Sequence, residues 1–136
     1  EKHALSGFTE ISHTADCALR IWAPDPARLF ITAAEGMYKL IGIELHQEGG
    51  VSQSFQLQGF DHESLLVSFL SELLFLMEEG LGLQSFALEV QDTELHVKAI
   101  GYPIAHLMKE IKAVTFHNLA ISQNDDRLEV TVVFDV

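Results

Sequence analysis

Apolar residues recur along this chain at two spacings, and the switches between them mark out the elements. Residues 8–13 ("FTEISH") and 17–23 ("CALRIWA") read as strands; in the second, Cys17, Leu19 and Ile21 alternate with Ala18, Arg20 and Trp22. The period then changes. In "APDPARLFITAAEGMYKLIG", Phe30, Ala33, Ala34, Met37 and Ile41 form one helical stripe, Asp25 can cap, Pro26 suits the first helical position and Gly42 is a stop. "VSQSFQLQ" alternates Val51, Phe55 and Leu57 against Ser52, Ser54 and Gln56, the pattern of a half-exposed strand. A second helix is predicted from near Asp61, with Ser64 as an alternative cap. Its stripe is Leu66, Phe69, Leu70, Leu73, Leu74 and Met77, and Gly80 ends it.

Beyond Gly80 the pattern is mostly strand. "FALEVQDTELHVKAIG" reads as a hairpin with Phe86, Leu88 and Val90 on one arm and Leu95, Val97 and Ala99 on the other. "IKAVTFHNLAI" and "RLEVTVVFDV" read as a second hairpin across "SQNDD", and "YPIAHLMKE" between the hairpins as a loop or short turn. The sum is an α+β fold, with two amphipathic helices packed on mixed or antiparallel sheet, in one domain over residues 1–136.

Composition narrows the class. The chain is 48% hydrophobic and 21% charged, a globular balance. No apolar run approaches the roughly 20 residues that span a bilayer, since "LLVSFLSELLFLMEEG" is interrupted by Ser68, Ser71 and Glu72. The N-terminal residues lack the apolar core of a signal peptide. A single cysteine, Cys17, leaves no internal disulfide or cysteine-rich zinc site and suits a reducing compartment, so a cytoplasmic location is expected. Eight Lys and Arg against twenty Asp and Glu give a net charge of −12. That balance offers few cations to phosphates and argues against direct nucleic-acid binding; a basic partner or a cation fits it better.

The candidate chemistry lies at strand ends. In the last strand Leu128, Val130, Val132 and Phe134 share the core parity, which turns Asp135 to the accessible face, next to the carboxylate of Val136. Asp16 has the same outward parity in its strand. Two readings stay open: solvated strand ends, or a hard-oxygen cluster of Asp16, Asp135 and the terminal carboxylate suited to Ca²⁺, Mg²⁺ or Mn²⁺. His13 lies three residues from Asp16, the wrong interval for one face of a regular strand. Thr115 and His117 share parity, whereas Lys112 does not share theirs. His62 and His96 read as surface residues, and Cys17 has core parity with no activating cation beside it. No nucleophile elbow, phosphate loop or dinucleotide fingerprint is present.

Three segments, "HTAD", "KAVTFHNL" and "VVFDV", occur in order with the helix "LLVSFLSELLFLMEEG" between the first two, and together they resemble the archease family over nearly the whole chain. The resemblance implies a non-enzymatic accessory protein. Its partner would be the GTP-dependent RNA ligase that joins 2′,3′-cyclic-phosphate or 3′-phosphate ends to 5′-hydroxyl ends in tRNA splicing and RNA repair. The resemblance further implies that such a protein would promote attachment of GMP to the ligase's active-site histidine and permit repeated turnover. It also implies a divalent cation, calcium first and magnesium or manganese as alternatives, held by Asp16, Asp135 and the carboxylate of Val136. Functional positions of the motifs fall on His13, Lys112, Thr115 and His117. The chain departs from the family pattern at Ser12, where an acid usually precedes "HTAD", and at Phe116, where Tyr is common. Two other classes compete. One is a stand-alone metal-dependent hydrolase with His13 or His117 as base; the other is a structural interaction module that needs no carboxylate cluster.

Overall fold

The computed structural model describes residues 5–12, 16–116 and 118–136, the side chains of Ser12 and Asp16 excepted. Its elements run β1 (Gly7–Ser12), β2 (Asp16–Ala23), α1 (Pro26–Ile41), β3 (Glu44–Leu45), β4 (Val51–Gln58), α2 (His62–Glu78), β5 (Leu81–Gln91), β6 (Glu94–His106), β7 (Ala113–Thr115), β8 (Ser122–Asn124) and β9 (Arg127–Asp135).

Local chemistry sets the helix ends. The Asp25 carboxylate accepts the Arg28 backbone N–H at 2.8 Å, Pro26 stands in the first turn, and Gly42 closes α1 at φ 68. A Cβ at Gly42 would come 2.9 Å from the Cβ of Met108, so space and backbone both call for glycine there. At α2 the two predicted caps act together. The Asp61 carboxylate accepts from the Ser64 N–H at 2.8 Å, and the Ser64 hydroxyl accepts from the Asp61 N–H at 3.2 Å, a reciprocal capping box.

The strands form two antiparallel sheets. The first orders β1-β2-β9, with β7 and β8 both lying along the outer edge of β9. The second is built on β6, with β5 along one side and β4 and β3 along the other. Each helix touches both sheets: α1 meets β1, β2 and β9 as well as β5, and α2 meets β4, β5 and β6 as well as β7. Phe30 stacks on Phe69 at 6.0 Å between ring centroids, and Phe86 meets Phe69 edge-on at 6.0 Å, tying α1, α2 and β5 into one core.

The structure corrects three sequence expectations. Tyr102–His106 is not a loop but the last part of β6. Pro103 is tolerated because its carbonyl, and therefore its missing N–H, points toward β3, where His46 N–H donates to Pro103 O at 2.9 Å beyond a two-residue strand. The strand expected over 111–121 forms only as β7, β8 lies within the expected turn "SQNDD", and the left-handed Asn118 (φ 51) stands in the segment between them. The alternation of β2 and β9 also turns Ala18 and Val133 away from the helices, yet both are buried (0% and 7% exposed).

Tyr38 gives a pH handle on the core. Burial pushes its phenol up to about 12, although the Leu83 N–H donating to its oxygen at 3.1 Å works the other way. Folded protein therefore holds this proton more tightly than the unfolded chain. The stability it contributes is full below the unfolded value of 10.0 and is lost as pH rises through about 12. Denaturant melts between pH 9 and 12 are expected to show a loss of roughly 2–3 kcal/mol that is missing in Tyr38→Phe. An unchanged slope in that variant would assign the alkaline loss to other groups.

Candidate functional site

The candidate residues converge because β2 and β9 pair without a break, from Asp16↔Asp135 to Ala23↔Leu128. β7 continues the same row, with Ala113 opposite Asp135 on the other side. Asp135 thus stands in the end row of the first sheet, with position 16 directly across one ladder and position 113 across the other. In an antiparallel pair, directly opposed residues lie on the same sheet face, about 4.5–5.5 Å apart at Cβ.

The backbone of Asp135 is fixed while its side chain is exposed. Lys112 N–H donates to Asp135 O at 2.7 Å, so the peptide is held on the β7 side. Lys112 is exposed beside it and Val136 follows at 39% exposure. Thr115 lies one row pair further along, opposite Val133, and is half-buried. Phe116, next in sequence, is 60% exposed.

Ser12 pairs with Cys17, not with Asp16, so it stands one position off the carboxylate row. Cys17 is only half-buried despite its core parity, because it lies at the sheet's end. His13 and His117 lie outside the described residues. His62 and His96 belong to other surfaces: His62 Nε2 donates to Asp92 O at 2.7 Å, and His96 Nε2 lies 3.6 Å from Glu94 Oε1. Among the described residues no group of three or more His, Cys, Asp or Glu stands close enough to hold an ion. The side chain of Asp16 is not among them.

At the other end of the same sheet the charges are already matched. Arg127 donates to Glu129 at 2.8 Å and lies over the Trp22 ring at 5.2 Å, while Arg20 reaches Glu129 at 3.5 Å. These hydrogen bonds and cations hold the Glu129 carboxyl below its usual range. Beside Lys112, on the helix side, runs a groove of about 610 Å³ lined by Phe75, Leu74, Leu107 and Ile111. Its exposed Phe75 (54%) went unmarked in the sequence because it falls off the helical stripe of α2.

The chain matches known proteins over this whole architecture. The model of the Archease protein family (MTH1598/TM1083) matches residues 8–136. The protein archease of Methanopyrus kandleri is 32% identical over 138 residues, covering 95% of this chain and 99% of that one. The protein archease of Methanosarcina acetivorans is 32% identical over 139 residues, covering 95% of each. Among solved structures, an archease of Thermotoga maritima, described as a possible chaperone, superposes with a TM-score of 0.72 at 26% identity, covering 93% of this chain and 94% of that one.

Proposed function

This chain belongs to the archease protein family, and from that membership we propose that it is a non-catalytic activator of a GTP-dependent RNA ligase, acting through carboxylates at the end of its first sheet. The observation that carries the reading is the register of β2 and β9, in which Asp16 and Asp135 are directly opposed. The partner's identity comes from the resemblance of the "HTAD", "KAVTFHNL" and "VVFDV" segments to the family; the description of a relative as a possible chaperone accords with an accessory role.

The donor chemistry fits a hard divalent cation. The groups on offer are carboxylate oxygens, of Asp16, Asp135 and Val136, with no thiolate in the set. Calcium, or magnesium or manganese in its place, would supply positive charge to phosphate oxygens at the ligase pocket when bound. The chain's own part is to fix Asp135 by its backbone bond to Lys112 on the β7 side and by its register with β2 on the other, and to present its carboxylate outward. Lys112 stands beside it as a cation for a partner carboxylate or phosphate. A net charge of −12 directs the domain to protein and cation partners and away from bare RNA.

The test is guanylylation of the cognate ligase in a single turnover, and ligation over many turnovers, with and without this protein. The expected result is faster GMP transfer to the ligase and turnover beyond one equivalent. No change in either measurement would sink the reading.

A further inference from the structure

Among the described residues the two sheets present four outer edges, and three are protected in the usual ways. β1 is six residues long and carries Glu10. The edge along β9 is cut into two three-residue pieces, β7 and β8. β5 is longer but shifts register between Gln84 and Ala87, with Ser85 left-handed at φ 59, and it carries Glu89. β4 has none of these devices. Its eight residues, "VSQSFQLQ", hold no charge and no proline, and pair with β6 without a shift from Val51↔Gly101 to Gln58↔Glu94. In a chain of net charge −12, this is a long neutral edge with its far side unpaired.

We propose that β4 pairs antiparallel with β4 of a second copy of this chain, about a two-fold axis through Phe55, joining the two four-stranded sheets into one. A second copy suits this edge because a strand's own ladder is self-complementary under a two-fold axis, and because neutrality removes the repulsion that other faces of so acidic a chain would bring. Symmetry also selects the register. The axis stands perpendicular to the sheet, so opposed residues must share a face and therefore a parity, which places the axis on a residue and not between two. The candidates are Ser54 and Phe55.

The exposed Phe60 beyond the strand's end decides between them. Val51 is 56% exposed and Phe60, just past the other end, is 96% exposed. An axis through Phe55 sets Phe60 opposite Gly50 and Val51 opposite Gly59 of the other copy, and sets the half-buried Gln53 opposite Leu57. An axis through Ser54 would set Phe60 against Glu48. The second would set Val51 opposite Leu57, but only the first keeps Phe60 off a carboxylate. The edge lies on the opposite sheet from Asp135, so pairing leaves the carboxylate row accessible.

One short ladder with Phe60 over a glycine at each end makes a small interface, so association is expected only at concentrations on the order of 100 µM. Sedimentation equilibrium should then show a species of twice the 15.1 kDa chain mass, favoured by raising salt because the copies repel. Phe60→Ser and Ser54→Glu should each weaken association at least about tenfold with thermal melting unchanged. Phe60 packs on nothing in its own chain at 96% exposure, and a carboxylate at position 54 would face Lys98. With Cys17→Ser as background, Ser54→Cys and Gln56→Cys preparations should cross-link to each other faster than either does to itself. A monomer throughout that concentration and salt range, a dimer that both surface variants leave intact, or preferential self-linking of the Ser54→Cys protein would each overturn the proposal.

Discussion

Phe69→Ala is expected to lower the unfolding free energy by about 3–5 kcal/mol, a loss at the top of the range for a single core residue. The ring is fully buried, stacked on Phe30 of α1 and edge-on to Phe86 of β5. Removing it would take contact from both helices and the second sheet at once, and a layer enclosed on two sides has little room to collapse into the cavity. In thermal melts the midpoint should fall by more than about 10 °C. Phe75→Ala, on the same helix but 54% exposed, is the control and should change stability by less than about 1 kcal/mol. A Phe69→Ala protein that melts with the Phe75→Ala protein would mean that the aromatic bridge does not hold the layers together.

That layered core was partly legible in the sequence. Asp25, Pro26 and Gly42 bound α1 where the capping rules place them, and Asp61 with Ser64 does the same for α2. These are local signals, set by backbone groups that need partners within a turn. The stripes of both helices were also readable, but not that each helix would meet two sheets. For α2 the warning was its Leu-rich sequence, which leaves Leu65 and Val67 buried beyond the predicted stripe. Non-local geometry was out of reach. The end of β6 looked like a loop because Pro103 argues against a strand, and only the shortness of β3 makes it acceptable. The early end of β7 follows from no periodic signal, since apolar residues continue to Ile121 while the ladder stops at Thr115 and resumes only at Ser122. For the candidate site, parity marked Asp16 and Asp135 as outward positions in their strands. Their direct opposition needs the pairing of β2 with β9, two elements at opposite ends of the chain, and no spacing rule supplies that.

This pairing sets up the second large effect. On the proposed reading, Asp135→Asn should remove at least about tenfold of calcium affinity, or about 1.4 kcal/mol, and should abolish the stimulation of ligase guanylylation. The substitution is nearly isosteric and its expected cost to the fold is small. The side chain is exposed, and the structural duties of this residue belong to its backbone: the carbonyl that accepts the Lys112 N–H at 2.7 Å and the ladders to Asp16 and Ala113. Melting should therefore stay within about 0.5 kcal/mol of the unmodified chain. An amide keeps one oxygen donor but loses the charge, and the charge count of the donors largely sets the affinity for a hard divalent ion. The same logic makes Ser12→Asp the converse experiment. It restores the acid usual before "HTAD", and its expected effect is tighter cation binding, provided that position 12, which pairs with Cys17, reaches the row occupied by Asp16. Calorimetric titration with calcium, run beside the guanylylation assay, tells the two roles of the carboxylate apart. If Asp135→Asn loses both signals together, the ion is the working part. If stimulation disappears while calcium affinity holds, the carboxylate acts on the partner directly. If both survive, the functional reading of this sheet end is wrong.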